Sequence, residues 1–365
     1  MLSNFNQATR FDEFMRFALY DPHHGYYARG EQIFGREGDF VTAPELSPLF
    51  GQTMGKALRE VLVRCGGIVY EFGAGTGQLA CDVLRTAGDL ITQYNIVDLS
   101  GGLKDLQRAN LIALHGPAIE HKVKWLSELP DEIHGIVLGN EVLDATPVRR
   151  FKWQDNCPLE AWVQNVNDTL RFVWKPADPV FATAVQKLQE SNGPWPEGYE
   201  SEIAEQSTAW VSTITERLNG IALMIDYGFH GAMYYHPTRT QGTLRATSRH
   251  TAHDDFLVKV GEQDLTAHVN FSAVYHALSS CGGELEGYCH QGEFLLAHGI
   301  LDLAQQQPEF THPTRGALMR QNLNTLLNEA DMGEAFKVIC WSKGTDAQGT
   351  ALSQAFLDKD RSGDL

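Results

Sequence analysis

The chain has 365 residues, of which 43% are hydrophobic and 21% are charged, a composition typical of a globular protein and not of a disordered, collagen-like or membrane chain. Its 29 lysines and arginines against 46 aspartates and glutamates give a formal charge of −17. Such a charge repels the phosphate backbone of nucleic acids, so nucleic acid is excluded as an expected partner.

The first 62 residues are predicted to form an N-terminal helical arm with a loop. Thr9 resembles the start of a capping box, and apolar residues then recur at helical spacing until Pro22. A loop rich in glycine and aromatic residues follows over residues 25–40. Ser47, followed by proline, predicts the start of a second helix.

Between residues 63 and 150, short apolar runs alternate with helical stretches, a pattern typical of a parallel sheet covered on both faces. The predicted strands cover residues 68–72, 94–97, 122–125 and 133–138. Over residues 151–215 the pattern changes to short strands separated by turns at Asp155-Asn156 and Asn167-Asp168. This change predicts an inserted antiparallel hairpin subdomain.

Residues 216–365 are expected to complete the core. They contain an apolar strand at 221–227, a long polar segment at 228–267 and a helix capped by Asn270. Two further strands are predicted at 284–289 and 336–341. The whole pattern indicates one α/β core with an N-terminal arm and an insertion.

Cysteines and histidines do not form a recognisable metal or redox motif. The six cysteines include no C-x-x-C pair, and none of the 14 histidines has a partner at metal-ligand spacing, so no metal is predicted. No run approaches the ~20 apolar residues of a membrane span. Residues 1–10 are polar and lack the pattern of a signal peptide, so we expect a cytosolic protein without membrane insertion.

The strongest chemical signal is the segment from Glu71 to Gly77, which reads E-x-G-x-G-x-G between a strand and a helix. Glycines at positions 73, 75 and 77 let the backbone pass close to a ligand, and the following helix directs free N–H groups at an anion. A dinucleotide site would read G-x-G-x-x-G. The tighter spacing resembles motif I of class I S-adenosylmethionine-dependent methyltransferases; a purely structural turn is the alternative.

Asp98 ends the second strand, 21 residues after Gly77. An acid in that place can accept hydrogen bonds from both ribose hydroxyls of a nucleoside ligand. A simple cap at the strand end is the alternative interpretation. With Asn140, which follows the fourth strand, Asp98 completes the expected cofactor-binding set of Glu71, Gly73, Gly75, Gly77, Asp98 and Asn140.

Over nearly its whole length the chain resembles one family, the MidA-like class I methyltransferases. This family includes bacterial members and the mitochondrial complex I assembly factor, a protein-arginine methyltransferase. The blocks that carry the resemblance are Asp21-Pro22 with Gly25-Tyr26-Tyr27, residues 34–45, Glu71 to Gly77, Asn140-Glu141 with Asp144-Ala145 and Pro147, Asp226-Tyr227-Gly228, residues 264–271 and residues 332–338.

The resemblance implies a fold, a cofactor and an acceptor. The fold would be a Rossmann-like methyltransferase sheet with an antiparallel edge strand, an N-terminal helical arm and an inserted antiparallel hairpin subdomain. The cofactor would be S-adenosyl-L-methionine, and the acceptor an arginine of a protein, such as a subunit of respiratory complex I. A small-molecule methyltransferase and an assembly chaperone that binds cofactor without turnover are the alternatives.

This chain departs from the family pattern at several positions. Ala74 stands where proline is usual, Asp98 replaces a glutamate, and Val142-Leu143 replace two aromatic residues. Gly242 stands where an acid is expected. The change at Asp98 keeps a carboxylate. The loss of the two aromatic residues and of the acid falls near the expected acceptor pocket, so it bears on the identity of the acceptor more than on that of the cofactor.

Glu141 and Asp144 are the candidate catalytic residues. They follow the fourth strand, at the sheet edge where ligands of such folds bind. A guanidinium is always a cation, and carboxylates can hold it bidentately and draw its charge away from the nitrogen that is methylated. The alternative is that Asp144 caps a helix and Glu141 pairs with a base such as Arg149.

Further residues are expected on the substrate side. Gly38, Asp39, Phe40 and Glu45 are assigned to a lid that closes over the site, with a packed structural arm as the alternative. Asp226 ends a core strand and could equally cap a turn. Arg245 is expected to bind acidic groups of the acceptor or to form an internal salt bridge. His268 and the nearby Asp264 are considered for a proton or acceptor role, against a satisfied buried histidine.

Overall fold

A computed structural model describes residues 2–28, 41–98, 103–249, 251–344, 352, 356 and 359–365. Three residues assigned above to the lid, Gly38, Asp39 and Phe40, lie outside this described part. The helices are α1 (Phe11–Tyr20), α2 (Ala43–Leu46), α3 (Pro48–Cys65), α4 (Gln78–Ala87), α5 (Lys104–His115), α6 (Pro179–Asn192), α7 (Glu205–Arg217), α8 (Gly231–Tyr234), α9 (Phe271–Ser280), α10 (Gln291–Ala297), α11 (Ile300–Gln305), α12 (Pro313–Leu327) and α13 (Met332–Ala335).

The strands form three sheets. They are β1 (Thr9–Arg10), β2 (Ile68–Phe72), β3 (Gln93–Val97), β4 (Val123–Leu126), β5 (Ile133–Asn140), β6 (Arg149–Gln154), β7 (Cys157–Val166), β8 (Thr169–Pro176), β9 (Tyr199–Ile203), β10 (Leu218–Phe229), β11 (Arg245–Ser248), β12 (Thr251–His253), β13 (Asp264–Thr266), β14 (Val269–Asn270), β15 (Glu284–His290) and β16 (Phe336–Lys343).

The main sheet has the order β15-β16-β10-β5-β2-β3-β4, with the short β14 paired to β10. The strands from β10 to β4 are parallel to their neighbours, whereas β16 is antiparallel to both β10 and β15. The expected α/β Rossmann-like sheet with an antiparallel edge is therefore confirmed. All parallel strands end at one edge of the sheet, where the ligand site of such folds lies.

Two helix starts were predicted correctly. The Ser47 hydroxyl accepts the N–H of Leu49 at 3.3 Å and begins α3, and the Asn270 side chain accepts the N–H of Ala273 at 3.2 Å and begins α9. The prediction that Thr9 caps the first helix is wrong. Thr9 pairs with Val163 at the edge of the second sheet, so α1 begins without a side-chain cap.

The second sheet is antiparallel and contains β1, β7, β6 and β9, with β8 paired to β7. Both predicted hairpin turns are present, since Asp155, Asn156, Asn167 and Asp168 all have φ between 51° and 60°. Two positive φ values in a row are typical of tight hairpin turns that follow the strand twist. Residues 149–203 thus contribute strands to a sheet separate from the main one, and they lie between β5 and α7 in the chain.

The polar segment 228–267 is more ordered than its composition suggested, because β11, β12 and β13 form a third, antiparallel sheet within it. One hydrophobic cluster joins this sheet, the insertion and the N-terminal arm through Phe14, Val163, Ala246 and Leu265. The segment therefore packs against the arm and carries one wall of the site described below.

Candidate active site

A cavity of about 770 Å³ lies at the carboxyl ends of β2, β3, β5 and β10. This volume is within the range of roughly 300–1,000 Å³ that small-molecule sites occupy. Besides the strand ends, the cavity is lined by the N-terminal arm, by α2, by Trp210 of α7 and by β13. Trp210 meets Phe72 edge to face at 5.0 Å between ring centroids, and so closes the sheet side of the cavity.

The glycine loop after β2 lines the cavity with backbone. Gly73, Gly75 and Gly77 have φ values of 61°, 53° and 82°, a region that residues with a side chain rarely adopt. A Cβ at Gly77 would lie 3.3 Å from Gln107. Glycine is therefore the residue that adopts this course of the loop without strain, and the loop leads directly into α4 at Gln78.

Gln107 of α5 connects the glycine loop to the acid at the end of β3. Its amide nitrogen donates to the carbonyl of Gly75 at 2.9 Å and to Asp98 Oδ2 at 3.0 Å. Its amide oxygen accepts the indole N–H of Trp125 at 2.8 Å. Gln107 was not predicted from the sequence; a glutamine four residues after Leu103 and four before Leu111, on the apolar face of the helix, is the signal that could have found it.

Two glutamates lie beside the glycine loop. Glu71 is buried and accepts the Tyr94 hydroxyl at 2.6 Å; burial raises its pKa to about 7, against the effect of that hydrogen bond. Glu45 of α2 accepts the hydroxyl of Thr76. Glu45 therefore contacts the glycine loop directly, while both glutamates also line the cavity.

The loop after β5 brings the candidate catalytic acids into the cavity. Glu141 adopts φ 53°, and its N–H donates to the carbonyl of Ile225 at 2.9 Å. Asn140 donates to Glu141 Oε1 at 3.0 Å. Asn140 Oδ1 and Asp144 Oδ1 are buried and have no hydrogen-bond partner among the described residues, as expected of atoms that await a ligand.

Burial is the main cause of raised pKa values in these acids. The pKa of Glu141 rises to about 8, also because of the nearby charge of Asp144. The pKa of Asp144 rises to about 6, although a hydrogen bond from the Tyr227 hydroxyl opposes the rise. The alternative interpretations of these residues are not seen: β6 and not a helix follows Asp144, and Arg149 pairs with Glu160, Asp178 and Glu205.

Asp226 holds the loop from behind. Its Oδ2 accepts the N–H groups of Leu143 and Asp144 at 2.9 and 3.2 Å, and its Oδ1 accepts the N–H of Tyr227 at 2.9 Å. Burial and the charges of Asp144 and Glu141 raise its pKa, and the backbone donors oppose that rise. Since Asp226 does not line the cavity, its geometry is that of a residue that positions the loop.

Three tyrosines surround the acids. Tyr20 and Tyr27 of the N-terminal arm stack with ring centroids 5.4 Å apart. The Tyr20 hydroxyl donates to the carbonyl of Ala145 at 2.9 Å, and the Tyr27 hydroxyl donates to Asp264 Oδ1 at 3.1 Å. Tyr227 lies at the end of β10, and all of these side chains line the cavity.

Arg245 and His268 lie outside the cavity lining. The Arg245 side chain is half exposed and pairs with Asp254 at 2.9 Å. The His268 ring stacks on Phe229 with centroids 5.1 Å apart, and burial lowers its pKa to about 4. Neither the packed His268 ring nor the exposed Arg245–Asp254 pair is placed to contact a ligand in the cavity, so we assign neither residue to the acceptor site.

All charged residues in the described lining of the cavity are acidic. This described lining includes no lysine, arginine or histidine, and its carboxylates are Glu45, Glu71, Asp98, Glu141, Asp144 and Asp264. Neighbouring anions in a buried site favour cationic ligands, because a bound cation relieves their mutual repulsion.

In the part of the chain that the structure describes, His, Cys, Asp and Glu side chains form no group of three or more that could hold a metal ion. None of the helices in that part is long and apolar enough to cross a membrane.

A family model described as S-adenosyl-L-methionine-dependent methyltransferase matches residues 53–289. The chain belongs to this family. A similar crystal structure is that of a Burkholderia thailandensis protein bound to S-adenosyl-homocysteine. The two sequences are 39% identical, and the match covers 100% of this chain and 93% of the other chain with a TM-score of 0.89. The match therefore extends over the whole fold of this methyltransferase, and its cofactor is S-adenosylmethionine.

Curated relatives of this methyltransferase are more distant. The Drosophila melanogaster protein arginine methyltransferase NDUFAF7 homolog is 29% identical, over 95% of this chain and 83% of its own length. The human mitochondrial protein arginine methyltransferase NDUFAF7 is 27% identical, over 89% of this chain and 78% of its own length.

The cavity of this family member fits the cofactor. The positive-φ glycines leave room for a ligand against the backbone, and the first turn of α4 directs N–H groups where a carboxylate can bind. Asp98 lies at the end of β3 with one oxygen 3.0 Å from Gln107. Asn140 Oδ1, which has no hydrogen-bond partner among the described residues, provides a buried acceptor at the end of β5.

Proposed function

We propose that this methyltransferase transfers a methyl group from S-adenosylmethionine to an arginine side chain of a protein, such as a subunit of a respiratory complex. The observation that carries the proposal is that every charged residue in the described lining of the cavity is acidic. An arginine acceptor is a permanent cation, and it satisfies carboxylates that a neutral or anionic small molecule would leave unpaired. The names of the fly and human relatives support the same acceptor.

The donor half of the site consists of the glycine loop and the end of β3. Gly73, Gly75 and Gly77 would hold the amino-acid part of the cofactor, and Asp98 would accept its ribose hydroxyls. When bound, S-adenosylmethionine supplies a methyl group that its sulfonium already activates. The protein therefore contributes chiefly alignment of the two reactants, which is the larger part of such a displacement.

The acceptor half consists of the loop after β5. Glu141 and Asp144 would hold the guanidinium and attract its positive charge toward the nitrogens that are not methylated. The third nitrogen then attacks in line: its new N–C bond forms as the S–C bond of the donor breaks. The nitrogen gives up one proton, which the buried Asp144 carboxylate would accept.

Labelling of a host lysate tests the acceptor class. The protein is incubated with lysate and cofactor that carries an isotopic methyl group, and the labelled products are identified by mass spectrometry. We expect methylarginine in a protein. Label in a small metabolite would show a small-molecule enzyme, and bound cofactor without any labelled product would support the assembly chaperone without turnover.

Two isosteric variants test the residue roles. Asp144→Asn and Glu141→Gln should lower methyl transfer by roughly two to three powers of ten, as for loss of a group that stabilises developing charge. Affinity for S-adenosyl-homocysteine should change less than about threefold, or ~0.7 kcal/mol. Glu132→Gln is the matched control, because Glu132 is exposed just before the opposite end of β5. Loss of cofactor binding in both variants would move the loop to the donor half.

A further inference from the structure

Among the carboxylates of the described cavity lining, Asp264 is the one that comes from the third sheet. The proposed methyl transfer assigns it no role. Asp264 lies on β13, opposite Thr247 of β11. Thr247, Asp264 and Thr266 line the cavity, while Ala246 and Leu265 between them pack into the hydrophobic cluster beneath. This alternation shows that β11 and β13 present a polar face to the cavity.

The position of Asp264 places it in the acceptor half. The carbonyl of Asp144 accepts the N–H of Ala267 at 3.0 Å, which ties the end of β13 to the loop after β5. Glu141 and Asp264 are close enough for the charge of Asp264 to raise the pKa of Glu141. The donor loop and Asp98 follow β2 and β3, which lie beyond β5 in the sheet.

Tyr27 and Tyr20 join Asp264 to the N-terminal arm. The Tyr27 hydroxyl donates to one carboxylate oxygen of Asp264 at 3.1 Å. The stacked rings line the cavity beside the acids. Aromatic faces attract flat cations such as guanidinium, and here the arm supplies aromatic surface to the cavity.

We propose that Asp264, oriented by Tyr27, is a third carboxylate that binds the acceptor guanidinium, and that Tyr20 and Tyr27 form an aromatic wall of the same subsite. The inference rests on the arginine acceptor proposed above. It makes the N-terminal arm and the third sheet parts of the acceptor site. Two carboxylates can occupy two edges of a guanidinium and take four of its five N–H donors, and a third carboxylate can accept from the one that remains.

Calorimetry with a blocked Gly-Arg-Gly peptide tests this assignment, on protein saturated with S-adenosyl-homocysteine. The same peptide with citrulline in place of arginine is the neutral match. Asp264→Asn should weaken binding of the arginine peptide about 10–100-fold, the value of a hydrogen bond to a charged group. Tyr27→Phe should weaken it about three- to tenfold, because it keeps the ring and removes only the bond that orients Asp264.

The controls separate a local from a global effect. Asp255→Asn changes an exposed aspartate of the same segment that does not line the cavity, so peptide affinity should stay within about twofold. Affinity for S-adenosyl-homocysteine should stay within about threefold in every variant. Tyr20→Phe should bind the peptide about five times more tightly than Tyr20→Leu if the ring face contributes.

The outcomes distinguish this inference from the proposed function. Wild-type affinity in Asp264→Asn, with loss of affinity in Glu141→Gln, would overturn the role of Asp264 and leave the arginine acceptor standing. Equal affinity of wild type for the arginine and citrulline peptides, or no binding of either, would overturn both. Loss of S-adenosyl-homocysteine binding in Asp264→Asn and Tyr27→Phe would place Asp264 in the donor half and refute the assignment.

Discussion

Binding of an arginine peptide should release protons from the acceptor site and should become tighter as the pH rises. Burial and mutual repulsion raise the pKa of Glu141 to about 8, and burial raises that of Asp144 to about 6. At pH 7 Asp144 is then about nine-tenths ionised and Glu141 about one-tenth ionised. The guanidinium needs both in the anionic form, and it stays protonated itself across this range.

The expected magnitude follows from these fractions. Full ionisation of both acids on binding at pH 7 releases about one proton per peptide, nearly all of it from Glu141. The product of the two ionised fractions rises about tenfold from pH 7 to pH 9, so the association constant should rise by the same factor. Between pH 6 and pH 7 both acids titrate, and the rise should exceed tenfold.

Titration calorimetry measures both quantities. The blocked Gly-Arg-Gly peptide is added to protein saturated with S-adenosyl-homocysteine, in buffers of equal pH and different ionisation enthalpy, so that the released protons appear as a difference in heat. The citrulline peptide should release none. In Glu141→Gln the proton release at pH 7 should fall to about one-tenth. An affinity that is constant from pH 6 to pH 9, or proton uptake, would refute the reasoning.

Three further variants test the donor loop, the ribose acid and the brace behind the acceptor loop. Gly75→Leu should abolish binding of S-adenosyl-homocysteine measured by calorimetry, because Gly75 has φ 53°, a conformation that favours glycine. Gly116→Leu is the matched control, because Gly116 also has a positive φ, 79°, and no atom lies within 4 Å of its Cβ position. Asp98→Ala should weaken that binding by about 1–3 kcal/mol, the cost of a charge-assisted hydrogen bond, and unchanged affinity would reduce Asp98 to a strand-end cap. Asp226→Asn leaves at least one backbone N–H without its acceptor, a loss of about 1–3 kcal/mol. This loss should lower the unfolding midpoint of this 365-residue chain by roughly 1–4 °C in a thermal melt; an unchanged midpoint would mean that the loop does not depend on this carboxylate.

The donor half of the site could be predicted from the sequence because it is local. β2, the glycine loop and α4 are continuous in the chain, and their pattern of apolar strand, glycines and helix is visible in twenty residues. Asp98 follows the next strand, so the parallel arrangement alone places it at the same edge. Gln107 was missed, since a helix pattern shows that a residue is buried but not that its amide reaches Asp98 and Gly75.

The predictions for the polar segment depended on information that one sequence does not contain. Arg245 and Asp264 both lie between residues 228 and 267, and both are charged. The structure directs the first to Asp254 at the surface and the second to the cavity. What decides between them is the pairing of β11 with β13 and the packing of Leu265 against the arm, and a segment this polar gives little periodic signal from which to predict either.

The acceptor half as a whole is assembled from distant parts of the chain. Tyr27 and Asp264 are 237 positions apart, and they meet only because the arm, the insertion and the third sheet share one hydrophobic cluster. Sequence motifs mark residues that act through their immediate neighbours, so they identify the cofactor more readily than the acceptor. The position of Val142 illustrates the difference: the loss of an aromatic residue there bears on the identity of the acceptor, whereas the structure supplies aromatic surface from Tyr20 and Tyr27 of a separate segment. The acceptor class is therefore better inferred from the charge and the aromatic surface of the assembled cavity than from any one motif.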